Sequence, residues 1–151
     1  MYERTHSREI VDNSGLAASM PVYATFLVIF ALSSVGLPGM NSFVGEFFVL
    51  LGTFMWSKAL ATVATLGVIL AAAYILWMLQ RVALGQSRTS VAARLPDLNW
   101  RETATLVPLV VIVLWVGLYP APFLDAMDVS VTALIQQATG GLAVSQLALG
   151  P

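Results

Sequence analysis

Long apolar runs alternate with short polar connections along this chain. Residues 1–20 begin with Glu3, Arg4, His6, Arg8, Glu9 and Asp12, a pattern that predicts a cytoplasmic loop or surface helix. Residues 21–56 are apolar apart from scattered Ser, Thr and Asn, one glutamate, and an interruption at 36–41. A second run covers 59–84 and a third 102–120, with a polar loop over 85–101 between them. In the tail, 121–151, apolar residues recur at Phe123, Met127, Val131, Leu134, Ile135 and Ala138. Asp125, Asp128, Gln136 and Gln137 fall off that stripe. The spacing is that of an amphipathic helix, lying in a membrane interface or docked on a neighbour. Gly140-Gly141 is expected to end it.

The interruption needs the closest reading. Pro21 suits a first helical position. Gly36 suits a helix C-terminus, and Pro38 prevents the helix continuing unbroken. Asn41 and Ser42 are good N-cap residues for a restart. An unbroken helix over 21–56 would be roughly 54 Å long, against ~30 Å of hydrocarbon. Two full spans and a turn need slightly more residues than the run has, so length alone does not decide between one crossing and two.

Charge does. With a single crossing, Arg4 and Arg8 share a side with Arg81, Arg88, Arg94 and Arg101, leaving Lys58 alone opposite. With two crossings the positive residues divide almost evenly. Basic residues gather on the cytoplasmic side. The chain therefore reads as one discontinuous membrane helix and two ordinary ones, with 1–20 and 85–101 cytoplasmic. Tyr74, Trp77 and Arg81 share one helix face near the cytoplasmic end, where they read as interfacial anchors.

Composition agrees with this picture. Of 151 residues 58% are hydrophobic and 10% charged, against ~25% charged in soluble domains. The net charge of −1 offers no basic surface for nucleic acid. With no cysteine and a single histidine, His6, disulfides, iron–sulfur clusters and histidine-based metal sites are not expected.

The chemistry concentrates at Glu46, a carboxylate with apolar neighbours just after the break. On a helical wheel with Ser42 at 0°, Glu46 falls near about 40°, Thr53 near about 20° and Ser57 near about 60°. These four form a narrow polar stripe, and Gly45 and Gly52 lie beside it, where another backbone could approach. Ionisable residues inside a membrane are functional by default. Burial in hydrocarbon favours the protonated carboxyl and a fresh helix N-terminus favours the anion, a balance that suits a group exchanging a proton. The broken backbone at Gly36, Pro38 and Gly39 would expose carbonyls and amides able to order water, which is tolerated at membrane depth only beside protein or a water-filled cavity.

Several blocks of the chain resemble a known family. Tyr2-Glu3-Arg4-Thr5-His6-Ser7-Arg8, Val35-Gly36-Leu37-Pro38-Gly39 and Phe43-Val44-Gly45-Glu46-Phe47 are similar to the subunit M family of respiratory complex I, subunit 4 in mitochondria. So are Ala72–Val82 and the stretch from Val107-Pro108-Leu109 to Gly117-Leu118-Tyr119-Pro120. Family members are roughly three times longer, and the resemblance is to their last third.

The resemblance implies an all-α polytopic membrane protein with three transmembrane helices, the first discontinuous, plus a C-terminal amphipathic helix. It implies a membrane-arm, proton-translocating role in NADH-quinone oxidoreductase, with Glu46 in a proton half-channel. The partners implied are other complex I membrane-arm subunits and the lipid bilayer, in a bacterial inner membrane or, in a eukaryote, the mitochondrial one. NADH and quinone would be used by the whole complex, with no cofactor or metal bound by this chain and no activity expected of it alone. The competing expectations are a cation/proton antiporter or membrane-bound hydrogenase subunit, or a non-functional split-gene fragment.

Overall fold

The computed structural model describes residues 9, 10, 13–85 and 96–148, with side chains through residue 139. The Tyr2–Arg8 block with His6, the loop arginines Arg88 and Arg94, and residues 149–151 lie outside the described residues. Among the described residues every regular element is a helix: α1 (Leu16–Ser19), α2 (Pro21–Ser34), α3 (Asn41–Trp56), α4 (Lys58–Val82), α5 (Trp100–Leu118) and α6 (Ala121–Ala148). Helices α1–α5 belong to one compact unit ending at Leu118, and α6 to a second beginning at Tyr119.

Local chemistry explains the boundaries. Pro21 occupies the first turn of α2, where its missing amide costs nothing. Ser57 ends α3 and caps α4 in a single extended residue (φ −153°, ψ 111°), its Oγ accepting from the Leu60 amide at 3.5 Å. This brings Lys58 into α4, whose 25 residues make a rod about 37 Å long. At the start of α5, Glu102 Oε2 accepts from the Asn99 amide at 2.8 Å, the return bond of a capping box. Helix α5 thus begins before the expected 102. It stops at Leu118 because Pro120 disfavours helical geometry at Tyr119. Pro108 lies inside α5 without ending it.

The expected stop at Gly140-Gly141 is not observed, and α6 runs on to Ala148. Each glycine weakens a helix by only about 1 kcal/mol relative to alanine, and Leu142, Ala143, Gln146, Leu147 and Ala148 after the pair are good or adequate helix formers. The side chains of α6 described up to Thr139 are almost all exposed.

Within the first unit, one end holds the core. Leu16, Met20 and Ala83 are each 1% exposed, and the Ala17 amide donates to the Ala83 carbonyl at 3.0 Å. Ala31 of α2 packs on Ile75 and Leu79 of α4, with Leu27, Val28, Val35 and Met78 around them. The start of α2 and the end of α4 therefore meet, and the two helices run antiparallel. Arg81, near that end of α4, lays its guanidinium 3.8 Å from the centre of the Trp77 ring.

Helix α2 has no cap of its own, since Met20 precedes it and offers no side-chain acceptor. Asp97 supplies one from the segment before α5. Its Oδ2 accepts from the Val22 amide at 2.9 Å and its Oδ1 from the Tyr23 amide at 3.1 Å.

The outer faces are apolar. Helix α5 has no buried residue, and Met55, Trp56, Leu70 and Leu118 are prominent among the exposed apolar side chains. Soluble monomers rarely present so much contiguous apolar surface. Helices α4 and α5 are each long and apolar enough to cross a membrane.

Candidate functional site

The interruption between α2 and α3 consists of two standard turns in succession. The Leu37 amide donates to the Leu32 carbonyl at 3.2 Å, and the Gly36 amide to the Ser33 carbonyl at 3.1 Å. With Gly36 at φ 78°, this is a Schellman ending, in which a left-handed residue turns two amides back onto the last turn. Next, the Met40 amide donates to the Leu37 carbonyl at 3.0 Å. Pro38 and Gly39 occupy the two central positions, and Gly39 has φ 93°. That order, with proline first and a positive φ second, is the pattern of a type II turn. Four amides of the break, those of Val35, Gly36, Leu37 and Met40, thus donate within the protein. Fewer amides remain to order water than the sequence leads one to expect.

Asn41 also differs from expectation. The N-cap of α3 is Met40, with no side-chain cap, and Asn41 is already helical. Its side chain reaches back instead, and Asn41 Oδ1 accepts from the buried Ser33 hydroxyl at 2.5 Å. One polar bond therefore joins the last turn of α2 to the first of α3. Ser42 is half-buried in the same first turn.

Glu46 lies one turn into α3 and is half-buried. Its carboxyl group folds back over Gly36. A Cβ placed on Gly36 would lie 3.0 Å from Glu46 Cδ and 3.3 Å from Oε1, and would overlap Oε2. Gly36 therefore serves two purposes, a positive φ and space for the carboxyl. Thr53 bonds its own helix, with Oγ1 donating to the Val49 carbonyl at 2.7 Å. Ser57 leaves α3 altogether to cap α4. The wheel that aligns Ser42, Glu46, Thr53 and Ser57 holds only as far as Trp56. Ser42 and Glu46 share the break end of α3, and the other two lie towards the α3–α4 corner. Phe43 and Phe47 stack at 5.6 Å beside Glu46. The positions of Gly45 and Gly52 face open space. Among the described residues no three His, Asp or Glu side chains gather in a metal-binding group.

Three participants were not anticipated from sequence. Ser33 is, in sequence, one of several small polar residues in an apolar run. Gly117 abuts the break: a Cβ there would overlap the Gly39 carbonyl and the Met40 Cα. Asp97 caps α2 across 75 residues of sequence. Only the lack of any capping residue before Pro21 hinted that an acceptor must come from elsewhere.

The chain has clear relatives. A sequence family described as "NADH:quinone oxidoreductase/Mrp antiporter, TM" matches residues 1–72, which include the break, Glu46, Thr53 and Ser57. NADH-quinone oxidoreductase subunit M of Rhodobacter capsulatus is 43% identical over 136 residues, covering 90% of this chain and 27% of that protein. NADH-ubiquinone oxidoreductase chain 4 of Marchantia polymorpha is 40% identical over 136 residues, covering 90% of this chain and 28% of that protein. Among solved structures, a chain of respiratory complex I from Thermus thermophilus with bound NADH superposes with a TM-score of 0.75 at 37% identity. That match covers 82% of this chain and 26% of the Thermus one. The chain thus spans a little over a quarter of the length of the relatives it matches.

Proposed function

We propose, for a chain that belongs to the NADH:quinone oxidoreductase/Mrp antiporter transmembrane family, that it serves in the membrane arm of an NADH-quinone oxidoreductase and that Glu46 exchanges the transported proton. The observation that carries this reading is the position of the carboxyl: it sits against Gly36 at the helix break, inside the matched region. A carboxyl group in hydrocarbon is costly and needs protein or water beside it. The break brings backbone polar groups close to it. Electron transfer and NADH and quinone binding would belong to other subunits, and conformational or electrostatic change along the arm would drive the exchange.

Three crossings are the arrangement this reading takes, with α2 and α3 as one discontinuous helix, α4 and α5 as the others, and α6 amphipathic. Two features support it. Helix α2 starts where α4 ends, and α3 ends where α4 starts, so the broken pair runs once along the full length of α4. The starts of α2 and α5 also meet through Asp97. Arg81 and Arg101 then lie on the side where α2 begins, with Lys58 at the opposite end of α4. The relatives named as NADH-quinone oxidoreductase subunit M and NADH-ubiquinone oxidoreductase chain 4 favour complex I over an antiporter.

The test is Glu46→Gln in the assembled, membrane-embedded complex, with proton translocation measured against NADH oxidation. Translocation per NADH should fall while the complex still assembles. Unchanged translocation would remove Glu46 from the pathway.

A further inference from the structure

We infer that Asp97 is a positioning residue for Glu46, acting through the broken helix. The inference rests on the proton-exchange reading above for its functional consequence, but its geometry stands alone.

Asp97 lies three residues before α5 and accepts from two consecutive amides of the first turn of α2. Those amides have no partner inside the helix, and Met20 offers none. Asp97 Oδ1 also accepts from the Leu98 amide at 2.7 Å, so the carboxylate is itself held by its own strand of chain. A carboxylate at this place also meets the positive end of the α2 dipole.

The other end of α5 touches the other end of the same structure. Gly117 has no side chain, and its backbone lies directly against Gly39 and Met40, just after α2. Leu118 Cδ2 comes within 3.6 Å of where a Gly39 side chain would begin. Helix α5 therefore runs parallel to α2 and is fastened to it twice, by a charge at the start and by bare backbone at the break. The Glu46 carboxyl rests on Gly36, between those two fastenings. Releasing the first leaves the start of α2 held by its packing on α4, and a shift there is carried along α2 to the surface on which the carboxyl rests.

The experiment compares Asp97→Ala and Asp97→Asn with wild type in the assembled complex. Asparagine keeps one accepting oxygen and the shape. Hydrogen exchange at the Val22 and Tyr23 amides should quicken in D97A by roughly 2- to 30-fold, the factor a lost N-terminal cap produces, and less in D97N. Labelling of Glu46 by a hydrophobic carbodiimide, which reacts with protonated carboxyls, should change by a factor of the same order and in the same rank. Proton translocation per NADH should follow.

Faster amide exchange with unchanged Glu46 labelling would make Asp97 a cap and nothing more, and would overturn the inference. So would failure of both variants to assemble, since the role would then lie in folding. If Glu46→Gln leaves translocation intact, the proton reading fails. The exchange and labelling measurements, made with Glu46 present, still decide the role of Asp97.

Discussion

The carboxyl group of Glu46 rests on the bare Cα of Gly36, across a break of two consecutive turns. Neither residue has this meaning alone. A glutamate after any helix break would sit near polar backbone. Here the fit is close enough that a single methyl group on Gly36 would displace it.

Gly36→Ala therefore has two costs. The left-handed backbone penalises any other residue by about 1–2 kcal/mol, and the new Cβ overlaps Glu46. Gly39→Ala meets the first cost only, since its nearest neighbour, Leu118 Cδ2, lies at an ordinary 3.6 Å. Both variants should lose thermal stability in detergent, and G36A should lose far more proton translocation than G39A. Equal losses would mean that the Glu46–Gly36 contact has no functional part.

Gly117→Ala tests the fastening of α5. Its Cβ would run into backbone, which cannot rotate away as a side chain can. Overpacking of this kind costs about 1–3 kcal/mol. Gly45→Ala and Gly52→Ala, whose positions are open within this chain, are the controls. G117A should lower the denaturation midpoint clearly and the controls little, when all three are measured on the same solubilised chain.

The Ser33–Asn41 bond suits a double-mutant cycle. Ser33→Ala, Asn41→Ala and the double variant should show a coupling of about 1 kcal/mol in unfolding free energy. A coupling near zero would show that the two helices keep their angle by the turns alone.

Glu102→Ala removes the side chain that returns to the Asn99 amide. The loss should be about 0.5–2 kcal/mol, and exchange should quicken at the first amides of α5. Because Asp97 precedes this turn, exchange at Val22 and Tyr23 should quicken as well if α5 and α2 are joined as described.

Much of the site could be read from residue order. Gly-Leu-Pro-Gly in an apolar run permits few conformations, because proline blocks a continuing helix and glycine allows a positive φ. That Glu46 lies close to the break follows from its place a few residues after it, but its contact with Gly36 does not. What could not be read were contacts that join distant segments. Gly117 looks like any glycine in an apolar helix until Gly39 is seen beside it. Asp97 looks like a loop residue until α2 is found without a cap. Asn41 reads as a local cap because capping depends on sequence neighbours, but Ser33, eight residues back across the break, is its partner. The wheel at Ser57 failed for a related reason. It assumes a helix that continues, and a serine able to cap the next helix is also able to end the present one.

That serine has a mechanical consequence. With only Ser57 between them, α3 and α4 share a corner with just two backbone dihedrals to take up torsion. A twist of α3 about its axis, which would swing Glu46 towards another face, has only the φ and ψ of Ser57 to absorb it before the cap on Leu60 is disturbed. The corner therefore ties the orientation of α3, and with it the place of Glu46, to the first turn of α4.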